Sequence, residues 1–233
     1  MKCIILWFVI HAFRFPEKSQ FCLAQEEGDE MKRMIASTGT ALCLLASAVS
    51  AAPAINKDYV RELAAPGKSV LVIEYYDGKG QVAQSKGFSS ANGYRALSGT
   101  DIQVDEKITV HLYGIQPCDG SLVNRAEGFS GTCADFAKQQ LQIMVQSAKV
   151  LFCRAFITEI DAPKQNVTCW GYYYYPNAMD AVDMLEEQLV SLGAVQIARK
   201  KDGSPERPDL LEAEQIGKKG SYGMWADPRI NKP

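Results

Sequence analysis

The chain has 233 residues, a net charge of −2 and 47% hydrophobic residues, the profile of an ordinary globular protein with one domain and room for a short extension. It lacks the basic excess of duplex-binding domains. Beyond residue 51 it keeps a single histidine, His111, so a zinc-type histidine pair and an HExxH motif are excluded there, and a Ser-His-Asp triad has no supporting signature.

Two targeting-like segments stand in a row at the front. Residues 1–30 hold a short apolar run, 3–13, too short to span a bilayer as a helix, followed by the acidic tract Glu26-Glu27-Gly28-Asp29-Glu30. Met31 then begins a conventional secretory signal: Lys32-Arg33, an apolar run over 35–49, and small residues before Ala52-Pro53. The expected cleavage falls between Ala51 and Ala52. Residues 1–30 read as an over-extended gene start, because codons for Glu-Glu-Gly can spell a purine-rich ribosome-binding sequence just upstream of Met31. Removing 1–51 takes away five basic and five acidic residues, and three of the seven cysteines. Cys118, Cys133, Cys153 and Cys169 remain, an even number in an exported chain, and imply two disulfides in a periplasmic or secreted protein.

Residues 52–67 read as a linker with a short helical turn. The runs 69–76 (SVLVIEYY) and 81–88 flank Asp77-Gly78-Lys79-Gly80, a strong hairpin signal; residues 52–93 are thus expected to be a linker plus an N-terminal hairpin extension. Short strands are expected over 94–97 and 101–104. Residues 108–120 (ITVHLYGIQPCDG) alternate as a strand and break at Gly114 and Pro117 into a polar loop, bringing His111, Cys118 and Asp119 into one stretch. An amphipathic helix over 133–147 presents Ala137, Leu141, Met144 and Val145, with Thr132 as N-cap. Two β-rich runs, 149–160 and 166–175, form a second hairpin in which Cys153 and Cys169 lie at similar distances from the turn, natural for a cross-strand disulfide. A helix is expected from Pro176-Asn177, with Met179, Val182, Leu185 and Leu189 on one side and Gly193 as its stop. A short strand at 195–198, a polar loop and a last helix from Pro208 to about Lys219 complete the chain. Segregated strands with single helices make an α+β domain, a barrel with helices at its side.

Five places carry a resemblance to the staphylococcal nuclease (thermonuclease-like) family. Residues 98–104 (SGTDIQV) are similar to the family's Asp-Gly-Asp-Thr-Leu-x-Val, and 110–119 (VHLYGIQPCD) to its Val-Arg-Leu-x-Gly-Ile-Asp-Ala-Pro-Glu. Cys153, Asp161 and Cys169 resemble exported members in which two cysteines bracket Asp-Arg-Tyr-Gly-Arg, and Leu189-Val190 with Gly193-Ala194 is similar to Leu-Val-x-x-Gly-Leu-Ala. Glu212-Ala213-Glu214, Gly217-Lys218-Lys219-Gly220 and Gly223-Met224-Trp225 resemble the closing helix and its Gly-Leu-Trp. The resemblance covers 94–228, leaves 229–233 as a tail, and implies an OB-type five-stranded β-barrel with three helices.

The family's chemistry does not carry over. Its carboxylates hold one Ca²⁺, two arginines clamp the phosphate, and a glutamate acts as base or orients water. The resemblance places the first arginine on His111 and the second on Gln165, next to Lys164. It places the calcium aspartates on Thr100 and Gln116, beside Asp101, and the glutamate on Asp119. His111 lacks the permanent charge and bidentate fork of arginine, and Thr100 and Gln116 cannot offset the desolvation of a divalent ion as carboxylates do. The expected reading is an exported thermonuclease-like protein without the usual catalysis, acting as a binding or interaction module. Its partner would be single-stranded nucleic acid or an envelope protein, and no cofactor is expected. The alternative is a metal-dependent phosphodiesterase with a displaced acidic site at Asp101, Asp119 and Glu127, taking Ca²⁺; a third reading is a purely structural envelope protein. Tyr172 to Tyr175 read as half inward and structural rather than as a base-stacking platform. The basic groups Arg199-Lys200-Lys201 and Lys218-Lys219 read as solvated faces. Cys153 with Cys169 should staple the second hairpin, and Cys118 with Cys133 should tie the loop after the 108–112 strand to the first long helix.

Overall fold

A computed structural model describes residues 54–230. The expected gene-start segment, the signal peptide and its cleavage point at Ala51 and Ala52 lie outside the described residues. The chain folds as α+β, and its elements follow from local chemistry. Helix α1 (Lys57–Glu62) starts where the Asn56 side chain accepts hydrogen bonds from the N–H groups of Asp58 and Tyr59, a standard N-cap. Strands β1 (Ser69–Tyr76) and β2 (Val82–Ser90) form the hairpin signalled by Asp77-Gly78-Lys79-Gly80, with Gly80 at φ +76°. Strands β3 (Arg95–Ala96), β4 (Asp101–Gln103) and β5 (Thr109–Leu112) make a short meander. Then come β6 (Ile115–Gln116), the hairpin β7 (Ser121–Asn124) and β8 (Phe129–Thr132), helix α2 (Cys133–Ser147), and strands β9 (Val150–Phe156), β10 (Lys164–Tyr175) and β11 (Met179–Met184). Helix α3 (Leu185–Ser191), strand β12 (Gln196–Ile197) and helix α4 (Leu211–Gly220) close the order.

The main sheet has eight strands in the order β2-β1-β9-β10-β5-β4-β3, with β11 also on β10. It is larger than the five-stranded barrel expected and is not closed by strand pairing, since β2 and β3 end the ladder among the described residues. The expected hairpin extension is not an appendage. Strand β1 lies inside the sheet, parallel to β9 with Val70 opposite Val150 and Tyr76 opposite Phe156. Its continuous apolar run explains this place, because a strand buried on both faces has no polar side. Leu71, Ile73 and Tyr75 enter the main core, and Val72 enters a second cluster with Val60, Val150, Phe152, Tyr172 and Val182. Helix α1 covers that second cluster, with the Tyr59 ring edge-on to Phe152 at 5.9 Å. Residues 54–67 of the expected linker therefore carry packing that a linker would not.

Helix α2 keeps its expected bounds, Thr132 caps it by accepting from the Asp135 N–H, and Phe136, Ala137, Leu141 and Val145 are buried in the main core. Both disulfides pair as expected. Cys118–Cys133 and Cys153–Cys169 have Cα separations of 5.3 and 4.1 Å, the second joining directly opposed residues of β9 and β10. Each closes a loop worth about 3 kcal/mol in the chain-entropy account.

Two expectations fail locally. Met179 and Val182 belong to β11, and the helix begins only at Leu185. The spacing of Met179, Val182, Leu185 and Leu189 mimics a helix, but Asn177 adopts φ +60° and turns β10 back into a hairpin. The polar stretch before α2 contains the β7–β8 hairpin, in which Leu122 and Asn124 point inward. Of the tyrosine run, Tyr172 and Tyr173 are buried in opposite cores while Tyr174 and Tyr175 are exposed at the hairpin end.

Candidate functional site

The residues with the most chemistry converge where β4, β5 and β10 lie side by side. Asp101 opens β4, His111 faces it across the β4–β5 pairing, and Asn166 of β10 faces His111 in turn. The turn before β4 holds the carboxylate in place: Ser98 Oγ donates to Asp101 Oδ2 at 2.9 Å and accepts from the Asp101 N–H at 3.0 Å. On the other oxygen, Oδ1, His111 Nδ1 sits at 2.7 Å and Lys164 Nζ at 2.9 Å. The side chains of Asp101 and His111 are 19% and 26% exposed and that of Lys164 54%, so the ion pair lies at the surface with its carboxylate turned inward.

Burial by itself pushes the Asp101 pKa up, but the hydrogen bonds from Lys164, His111 and Ser98, with the charge of Lys164, more than offset it and hold the group below the usual aspartate value. A carboxylate can only accept, so His111 donates from Nδ1 and leaves Nε2 as the outward ring nitrogen.

This arrangement differs from a hydrolytic centre in specific ways. Ser98 gives its proton to Asp101 and not to an imidazole nitrogen, so nucleophile, base and orienting acid are not in series. The lysine ammonium occupies one oxygen of the carboxylate, the position a divalent ion would need. Calcium requires six to eight oxygen ligands with several carboxylates among them. Thr100 is buried with its hydroxyl 3.4 Å from Ser98 Oγ, and Gln116 is exposed on β6, opposite Gln196 of β12. These residues do not fit a calcium ion.

The displaced acidic site is not assembled either. No cluster of three or more His, Cys, Asp or Glu side chains that could hold a metal occurs among the described residues. Asp119 is exposed in the loop after β6. Glu127 is committed to structure: it accepts from Asn124 Nδ2 at 2.9 Å and from the Gly223 N–H at 3.3 Å, tying the β7–β8 hairpin to the C-terminal segment.

Gln165 is a further correction. It is fully buried, accepts from Tyr75 Oη at 2.8 Å and donates from Nε2 to the Ala162 carbonyl at 3.0 Å. Side chains alternate along a strand, so a shift of one position moves a residue to the other face; the side chain that joins His111 on the Asp101 carboxylate is Lys164. Replacing Gln165 with alanine should leave the buried Tyr75 hydroxyl and the Ala162 carbonyl short of partners. Urea unfolding should show a loss of about 2 kcal/mol with the fold retained.

The residues of the two basic groups are exposed, and one of each group pairs with a buried acid. Arg199 and Lys218 both pair with the buried Glu214, at 3.0 and 2.9 Å, and the Lys218 ammonium lies 4.7 Å from the centroid of Trp225. Sequence reasoning missed Lys164 and Ser98 as members of the cluster, and both adjoin motif positions it did single out. No protein-family model matches the chain, and no curated protein matches it.

Proposed function

We propose that the protein is an exported, thermonuclease-like module of OB type that has exchanged catalysis for binding, with the β4–β5–β10 face carrying His111 and Lys164 as its contact surface. The observation that carries this reading is the commitment of Asp101 to His111 and Lys164. The Asp101 carboxylate is neutralised from within the fold and Glu159, the other acid at this face, is bonded to Asn166, so the face offers a ring nitrogen and an ammonium where a metal-dependent phosphodiesterase needs free acids. The resemblance in the turn before β4, the 110–119 stretch and the Gly193 and Gly223 segments supports the barrel assignment, as does the strand order β3-β4-β5-β10-β9 within the larger sheet. Export is supported by two disulfides, which persist in oxidising compartments; no helix among the described residues is long and apolar enough to cross a membrane.

The test is incubation of the oxidised chain from Ala52 onward with single-stranded DNA and RNA in millimolar Ca²⁺. No cleavage above buffer is expected, and Asp119→Ala should behave like the parent. Robust Ca²⁺-dependent cleavage that is abolished by Asp119→Ala would overturn the reading in favour of the displaced-site phosphodiesterase.

A further inference from the structure

The two disulfides differ in their surroundings. Cys153 and Cys169 are both 0% exposed within the main core, whereas Cys118 is 8% exposed and Cys133 1%. Cys133 is also the first residue of α2, directly after its N-cap. A thiolate there lies at the positive end of a 15-residue helix, which stabilises it and makes it a better leaving group. The loop that this disulfide tethers reaches the Asp101 cluster. Pro117 Cγ lies 3.2 Å from where a Cβ on Gly99 would stand, and the Ala137 methyl of α2 is closer still. The turn that holds Ser98 is thus wedged between α2 and the Cys118 loop, and the Cys133 N–H bonds the Gly120 carbonyl at 3.0 Å.

We propose that Cys118–Cys133 is a thiol-exchange site, opened selectively by dithiol reductants, and that its opening loosens the Ser98 turn and with it the Asp101–His111 pair. In the exchange a reductant thiolate attacks Cys118 Sγ, forming a mixed disulfide and expelling Cys133 as a thiolate stabilised at the α2 N-terminus. The reductant's second thiol, once deprotonated, attacks its own sulfur in the mixed disulfide and leaves as part of an intramolecular disulfide. Cys118 departs as a thiolate and takes up a proton. Two electrons pass from the dithiol to the protein, and Cys153–Cys169 is untouched. Asp135, in the first turn of α2, opposes a thiolate at Cys133, so neutralising it should speed the first step.

The proposal does not rest on the binding reading, because it concerns reactivity and not a ligand. The native oxidised chain is treated with dithiothreitol without denaturant, alkylated at intervals and mapped by mass spectrometry. Cys118 and Cys133 should be alkylated at least about tenfold faster than Cys153 and Cys169, and Asp135→Asn should widen the gap. In the selectively reduced protein the His111 ring resonances should shift. Equal rates, a reversed order, or release of both disulfides only at the global unfolding rate would overturn the exchange site. His111 resonances unchanged on selective reduction would overturn the coupling.

Discussion

Gly223→Ala should lower stability by about 4 kcal/mol, whereas Gly80→Ala, also at positive φ, should cost only about 1 kcal/mol. Gly80 at φ +76° has open space where a Cβ would go, so only the left-handed backbone penalises a side chain. Gly223, at φ +50°, has the carbonyls of Leu192 and Gly193 against that position, and Gly193 at φ +63° has the Tyr222 carbonyl against its own. These are backbone atoms, at the end of α3 and just after α4, and cannot move aside as a flexible side chain can. The contact is pinned by the Met224 N–H on the Gly193 carbonyl at 2.8 Å and by Asn124 and Glu127, which bond the Gly223 carbonyl and N–H. Urea midpoints for the two variants check the comparison; equal losses would show that the close approach contributes nothing.

The second large effect concerns Glu186, buried at the start of α3. Its two oxygens accept from the Cys169 N–H at 3.2 and 3.3 Å, and Arg207 lies 3.9 Å away. Burial is the dominant influence and pushes the carboxyl up from 4.5 to about 8, against the charge of Arg207 and the N–H donors. Arg207 is a weak counter-charge because its shortest contact, 2.7 Å, goes to Asp209. A carboxyl with a raised value in the folded state binds its proton more tightly there than in the unfolded chain. Its contribution to stability is therefore complete below about pH 4.5 and is lost as pH rises through about 8. The shift corresponds to roughly 5 kcal/mol between those limits. Glu186→Gln should keep an acceptor for Cys169 and flatten the fall in stability between pH 5 and pH 9; parallel curves for parent and variant would contradict this.

How far the chain could be read from its sequence depended on how local each interaction was. Helix α2 and its Thr132 cap were legible because the apolar spacing and the capping hydroxyl lie within one segment. The β1–β2 hairpin was legible through its turn, but its parallel partner β9 was not, since nothing near Ser69 to Tyr76 encodes a strand some 80 residues later. Met179 and Val182 misled because three-residue spacing in a short strand copies a helical stripe. At the candidate site His111 and Asp101 were visible as chemistry. The register that selects Lys164 over Gln165 was not, because a strand's facing depends on its neighbours. Glu127 was visible as an acid, but its partner Gly223 lies 96 positions away.

The central claim is that Asp101 is held by His111 and Lys164 and not available to a metal ion. The most direct test is a Ca²⁺ titration of the oxidised chain followed at the Asp101 carboxylate carbon and the His111 ring by NMR. The account predicts no saturable change at either group through millimolar Ca²⁺; a saturable shift of the Asp101 carboxylate with release of Lys164 would contradict it.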